Sequence, residues 1–218
     1  GTGVNITASA VTGINGGAGF QTTDVGRIIS FNSGKAKITA RTNTTVVVCT
    51  ITTAFTNTDA KDDWKLGAFS DTTGHPSCVS FFEQRLVFAG TTDEPQTIFF
   101  SKSGDYENMT TGTNADDAMV YTIASNQVNK IRYLKAVRTL LIGTTGGEFS
   151  VSADGTDAAV TPTNVTIKRQ SSFGAANVDA QPAGNAVLFL QRAKRKIREL
   201  AYNYDSDGYV APDLTILN

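Results

Sequence analysis

The chain has 218 residues, 40% apolar and 18% charged, enough for one large all-β domain or two small domains with buried cores. Nineteen Lys and Arg against twenty Asp and Glu leave a formal charge of −1, so no global field draws the protein to nucleic acid or an anionic membrane, and any such contact has to be local. No run approaches the roughly 18 to 20 apolar residues of a membrane helix, so no membrane anchor is expected. Cys49 and Cys78 lack the spacing of a metal site or redox pair and read as buried free thiols.

Residues 1–66 are rich in Thr, Val, Ile, Asn and Gly and read as short strands. Alternation over 4–11 predicts a strand. Arg27–Phe31 and Lys35–Ala40 predict a hairpin across Asn32–Gly34, and the β-branched run Thr44–Thr52 a further strand. Gly13–Gly19, with four glycines in seven positions, is a loop. Together these predict a small β-barrel or sandwich. Asp59–Asp63 reads as a solvated turn and Trp64 as the buried anchor after it, and residues 67–76 form a polar connector.

From Cys78 onward the sequence repeats itself. Arg85-Leu-Val-Phe-Ala-Gly-Thr91 is answered 53 residues later by Arg138-Thr-Leu-Leu-Ile-Gly-Thr144. In each copy an apolar lead-in (Val79–Phe82, Ile131–Leu134) and a polar turn (Glu83-Gln84, Lys135-Ala136) precede the arginine, which predicts a β-hairpin. A third version runs Val187–Leu190, turn Gln191–Lys194, Arg195–Asn203, without the Gly-Thr ending. Further strands are expected over 96–103, 147–153 and 165–170, a long surface loop over Gly104–Asp117, and a turn at Pro182–Gly184. A repeat of 40 to 50 residues is the signature of propeller blades. The fold class expected is therefore all-β: a small N-terminal β-domain (1–66), then a partial β-propeller (67–218) of about three blade-like modules. Three are too few to close a ring of about 4 to 8 blades, and open edges call for a partner.

Convergent chemistry is scarce. His75 lies in a Gly-His-Pro turn without a nucleophile context, and Asp62-Asp63 and Asp116-Asp117 are neighbours that point apart on an extended chain. Asp205-Ser-Asp-Gly208 lacks the later ligands of a calcium loop, and Gly143–Gly147 lacks the Gly-Lys-Ser/Thr of a phosphate loop and reads as a tight hairpin. No cofactor or metal is expected. The segment 192–198 carries five cations in seven residues. On a strand Lys196 and Arg198 share one side, with Arg192 and Lys194 in the turn, giving a stripe that could touch DNA or another subunit. The competing reading is an exposed hairpin whose charges pair with Glu199, Asp205 and Asp207; no aromatic residues for base stacking are interleaved.

Several blocks resemble one family. Trp64–Ser70, Gly74–Thr91, Pro95–Met109, Gln127–Arg132, Ile142–Phe149, Arg198–Thr215 and, earlier, Phe20–Ile29 are similar to the tail nozzle (tail tubular protein B-like) proteins of short-tailed bacteriophages. The resemblance covers most of the chain and includes no catalytic signature. It implies a non-enzymatic virion protein of the phage tail, a homo-oligomer (a hexamer in the assembled tail) bound to a tail adaptor protein, with DNA passing transiently through its lumen during genome ejection. Loop 104–117 and the hairpin bearing Arg192, Lys194, Lys196 and Arg198 are then candidates for channel or subunit contact. Family members are several times longer. The alternative is a glycan- or receptor-binding propeller adhesin, which a single Trp supports weakly, and a propeller hydrolase ranks last.

Overall fold

A computed structural model describes residues 1–124, 128–155 and 158–216; Gln127, which opens one of the family-like blocks, lies outside them. The chain is all-β and divides into two compact units, Gly1–His75 and Pro76–Asn218. Among the described residues no helix is long and apolar enough to cross a membrane.

The first unit is one antiparallel sheet of β1 (Val4–Thr7), β2 (Ile28–Phe31), β3 (Gly34–Arg41), β4 (Val46–Thr53) and β5 (Lys65–Leu66), in the order β1-β4-β3-β2-β5. Alternation along β3 and β4 turns Ala36, Ile38, Val47 and Cys49 to one face, where they pack with Ile29, Ile14 and Phe20. Ile14 and Phe20 come from the glycine-rich loop, which takes the place of a second layer. The sheet therefore stays open, where a barrel or sandwich was expected, and the first strand stops at Thr7. The β2–β3 turn is as predicted, with Asn32 and Ser33 both at positive φ, the type I′ geometry that matches strand twist. The connector belongs to this unit. β5 pairs with β2, the Gly67 amide donates to the Ile28 carbonyl at 2.8 Å, and Ser70 bridges Gly74, so the boundary falls after His75 rather than after residue 66.

The second unit holds three four-stranded antiparallel sheets. The first contains β6 (Cys78–Phe82), β7 (Arg85–Ala89), β8 (Thr97–Phe100) and β9 (Met119–Thr122). The second contains β10 (Ile131–Ala136), β11 (Leu140–Thr144), β12 (Gly147–Ser152) and β13 (Thr166–Ser171). The third contains β14 (Gln181–Ala183), β15 (Ala186–Leu190), β16 (Ile197–Asn203) and β17 (Gly208–Val210). Each is a meander in sequence order, the pattern of a propeller blade.

Both sequence repeats form the first hairpin of their sheets. Glu83 and Gln84 make a two-residue type I′ turn, again at positive φ. In the second copy the turn is Val137–Thr139, one residue longer and later than the predicted Lys135-Ala136, which stay in β10. That extra residue and a β-bulge between Ile131 and Tyr133 shift the second hairpin's register. The third version is displaced by a whole strand: Pro182, expected in a turn, lies in the short edge strand β14, so Val187–Leu190 is the second strand of its sheet. An edge position tolerates proline because no ladder N–H is needed on the open side.

The sheets stack face to face. Cys78, Phe82, Val87, Ala89, Ile98, Phe100 and Met119 of the first sheet meet Ile131, Leu134, Leu140, Ile142, Phe149 and Val151 of the second in one core. The opposite face of the second sheet gives Tyr133 and Leu141 to a separate core with Val187, Phe189, Leu200 and Tyr209 of the third. Because β11 is covered on both sides, all five of its residues are buried, and it reads as a continuous apolar run instead of an alternation.

Candidate interaction surface

The basic hairpin is the β15–β16 turn and the start of β16, and its cations have separate fates. Arg198 is 8% exposed and points into the core between the second and third sheets. Its guanidinium stacks 3.4 Å above the Phe173 ring and donates to the Ala211 carbonyl and Gln191 Oε1. It is thus withdrawn from the cationic stripe. Lys196 Nζ sits 2.7 Å from Asp213 Oδ2 and, together with bonds from Thr215, holds the Asp213 carboxyl down at about 2. Asp213, rather than Glu199, Asp205 or Asp207, is the pairing acid. Arg192 Nη1 donates to the Thr145 carbonyl at 3.1 Å, reaching the β11–β12 turn of the neighbouring sheet. Lys194, at φ +58 in the turn, and Arg195 are exposed, with no ion pair among the described residues.

Loop 104–117, the other candidate, is anchored from below. Arg85, 2% exposed, donates to the carbonyls of Ser101 (2.8 Å), Ala115 (2.6 Å), Asp116 (3.4 Å) and Asp117 (2.7 Å). A planar fork of donors suits this bundle of carbonyls. Lys102 adds an ion pair to Asp116 at 2.8 Å and lowers its carboxyl, so this acid pair is tied to the loop's own frame. His75 Nε2 lies 3.1 Å from Asp71 Oδ1 on an exposed turn. Asn203 Oδ1 accepts from the Asp205 and Ser206 amides, which makes 204–207 a plain turn, and Gly143–Gly147 is the expected hairpin. Asp62 and Lys61 line a cleft of about 340 Å³ with Ile6, Phe31 and Trp64, but the Trp64 ring lies 6.2 Å from Phe20 and packs on the first unit's core. Among the described residues no group of three or more His, Cys, Asp or Glu could hold a metal ion.

Two buried polar networks escaped the sequence reading. In the first unit Asp24, fully buried, accepts from Arg27 Nη1, Asn15 Nδ2 and the Gln21 amide, each at 2.7 Å, while Arg27 Nε donates to the Gly67 carbonyl. The network fixes the glycine-rich loop and the connector in one stroke. Between the second and third sheets Glu148 is fully buried, with Ser171 Oγ donating to Oε2 while Oε1 has no partner. Burial pushes its carboxyl up, partly offset by the Ser171 bond. Tyr133, equally buried, carries an unpartnered hydroxyl pushed well up by burial and by the Glu148 charge. The register Tyr133↔Gly143↔Glu148 sets the two side chains on one face, a signal readable only once the bulge is known.

The chain matches no family model and no curated protein.

Proposed function

We propose that this chain is a structural, non-enzymatic part of a short phage tail, located in the virion and contributing to the wall of the DNA-ejection conduit. The observation that carries the reading is where the charged residues of the family-like blocks go. Asp24 and Arg27 in the block 20–29, Arg85 in the block 74–91 and Arg198 in the last block are all buried and bound to backbone or to each other. Charge placed for chemistry would converge on a cleft; these four side chains instead tie loops to the sheets, as a scaffold requires. In the tail the protein forms a homo-oligomeric ring, a hexamer, against the adaptor protein.

Immunogold labelling of phage particles whose genome encodes the chain tests this: gold on the tail is expected, and unlabelled particles overturn it. Transient DNA contact rests on Arg192, Lys194 and Lys196, not on buried Arg198. Changing those three to Gln should weaken retention on DNA about uniformly across sequences and flatten its salt dependence. Unchanged retention removes DNA contact from the proposal.

A further inference from the structure

The glycine-rich loop of the first unit contains the chain's single Asn-Gly pair, Asn15-Gly16. In such a pair the asparagine amide is open to attack by the following backbone nitrogen, because glycine puts no Cβ in the way and leaves the backbone free to turn. Gly16 is exposed at φ +66, and its N–H makes no hydrogen bond among the described residues, while the amides of Gly17, Ala18 and Gly19 all donate within the loop. The nucleophile is therefore untied, and any restraint on the reaction has to act on the Asn15 side chain.

That side chain is fully engaged. Nδ2 donates to the Asp24 carboxylate at 2.7 Å and to the Gly19 carbonyl at 3.0 Å, and Oδ1 accepts from Arg27 Nη1 at 2.8 Å. Two of these partners are themselves fixed: Asp24 is fully buried and paired with Arg27 at 2.7 Å, and Arg27 also donates to the Gly67 carbonyl. Two effects oppose each other. A guanidinium on Oδ1 draws electrons from Cγ and favours attack. Attack, however, makes Cγ tetrahedral, swings both heteroatoms out of the amide plane and expels Nδ2, whose two hydrogens are held. Losing three bonds, two of them to charged groups, outweighs the polarisation.

We propose that Asn15 is a deamidation site guarded by the Asp24–Arg27 pair, reacting when the loop opens and then keeping it from closing. In the opened loop the Gly16 nitrogen gives its proton to solvent and bonds to Asn15 Cγ; the Cγ–Nδ2 bond breaks and Nδ2 leaves as ammonia, giving a five-membered imide. Water adds to either imide carbonyl and breaks that carbonyl's bond to the Gly16 nitrogen, yielding aspartate or isoaspartate. The net change is one water in and one ammonia out, with no oxidation or reduction. Neither product fits the site. Aspartate sets a carboxylate where an amide hydrogen met Asp24 Oδ2, and isoaspartate carries the main chain through Cβ and Cγ, lengthening the loop. Ile14 and Phe20, which this loop lays on the sheet, stand on either side of the change. A momentary opening of the first unit is thus made permanent.

Peptide mapping by mass spectrometry, after incubation of the 218-residue chain in mildly alkaline buffer, tests this. The folded chain should convert Asn15 at least roughly tenfold more slowly than the same chain fully unfolded in urea, the factor set by about 1.4 kcal/mol of opening free energy. Urea below the unfolding transition should raise the rate progressively, and Arg27→Gln should raise it without urea. Asn15→Asp should lower the first unit's transition in calorimetry and leave the second unit's in place. Conversion as fast in the folded chain as in the unfolded one, a rate indifferent to both urea and Arg27→Gln, or an Asn15→Asp chain as stable as the parent overturns the proposal.

Discussion

Glu148 places a carboxyl between two sheets with one oxygen unpartnered, and its pKa is raised by burial. A group held more tightly protonated in the fold contributes stability that is fully present below its unfolded pKa and lost as pH rises through the folded value. The native protein should therefore lose stability between the ordinary carboxylate range and that raised value. Glu148→Gln, which keeps the shape and removes the charge, should flatten this dependence and be the more stable form at neutral pH, as urea unfolding at several pH values would register. Arg85→Met should lower stability by roughly 1 to 3 kcal/mol by stripping four carbonyls of their donor, and should open loop 104–117 to proteolysis before the strands. Cys49 and Cys78 are free and buried as the composition led one to expect, with the Cys49 thiol pushed up to about 11. The residues that alternate or carry lone functional groups were thus readable. Arg198 was not, because nothing in a string of five cations says which one turns inward.

Repeated Gly-Thr ends show how an element is written in sequence and yet used differently. Thr91 and Thr144 both close the turn after their strand: Thr91 Oγ1 accepts from the Glu94 amide, Thr144 Oγ1 from those of Gly146 and Gly147. The glycines differ. Gly90 sits at φ +75 against the Ile131 carbonyl, whereas Gly143 leaves room for the Tyr133 ring, 1.9 Å from where a Cβ would stand. Gly143→Ala should therefore cost roughly 1 to 3 kcal/mol through overpacking, and Tyr133→Leu in the same chain should recover part of it in thermal melts. Hairpins with strong turn chemistry were legible in the sequence. β9, β14 and β17 were not, since three or four residues, with a proline in β14 and a glycine in β17, are too short to give a periodic signal; they exist because a neighbouring strand offers its open edge.

Across the whole molecule, two units with separate apolar cores should melt as two transitions in calorimetry. Ile38→Ala, wholly inside the first unit's core, should lower that unit's stability by roughly 2 to 5 kcal/mol and leave the second transition in place. The division into a β-domain and a repeat array was legible because composition changes along the chain; the boundary was misplaced by nine residues because the connector's pairing with β2 is a backbone matter that side chains do not announce. The doubly covered strand β11 has a consequence for synthesis. Leu140–Thr144 leaves the ribosome some forty residues before Ala186–Leu190 exists to shelter Leu141, so for that interval the nascent chain displays a sticky β surface. Slow translation through the intervening segment would lengthen the exposure, and a chaperone that holds extended apolar segments would find its target there.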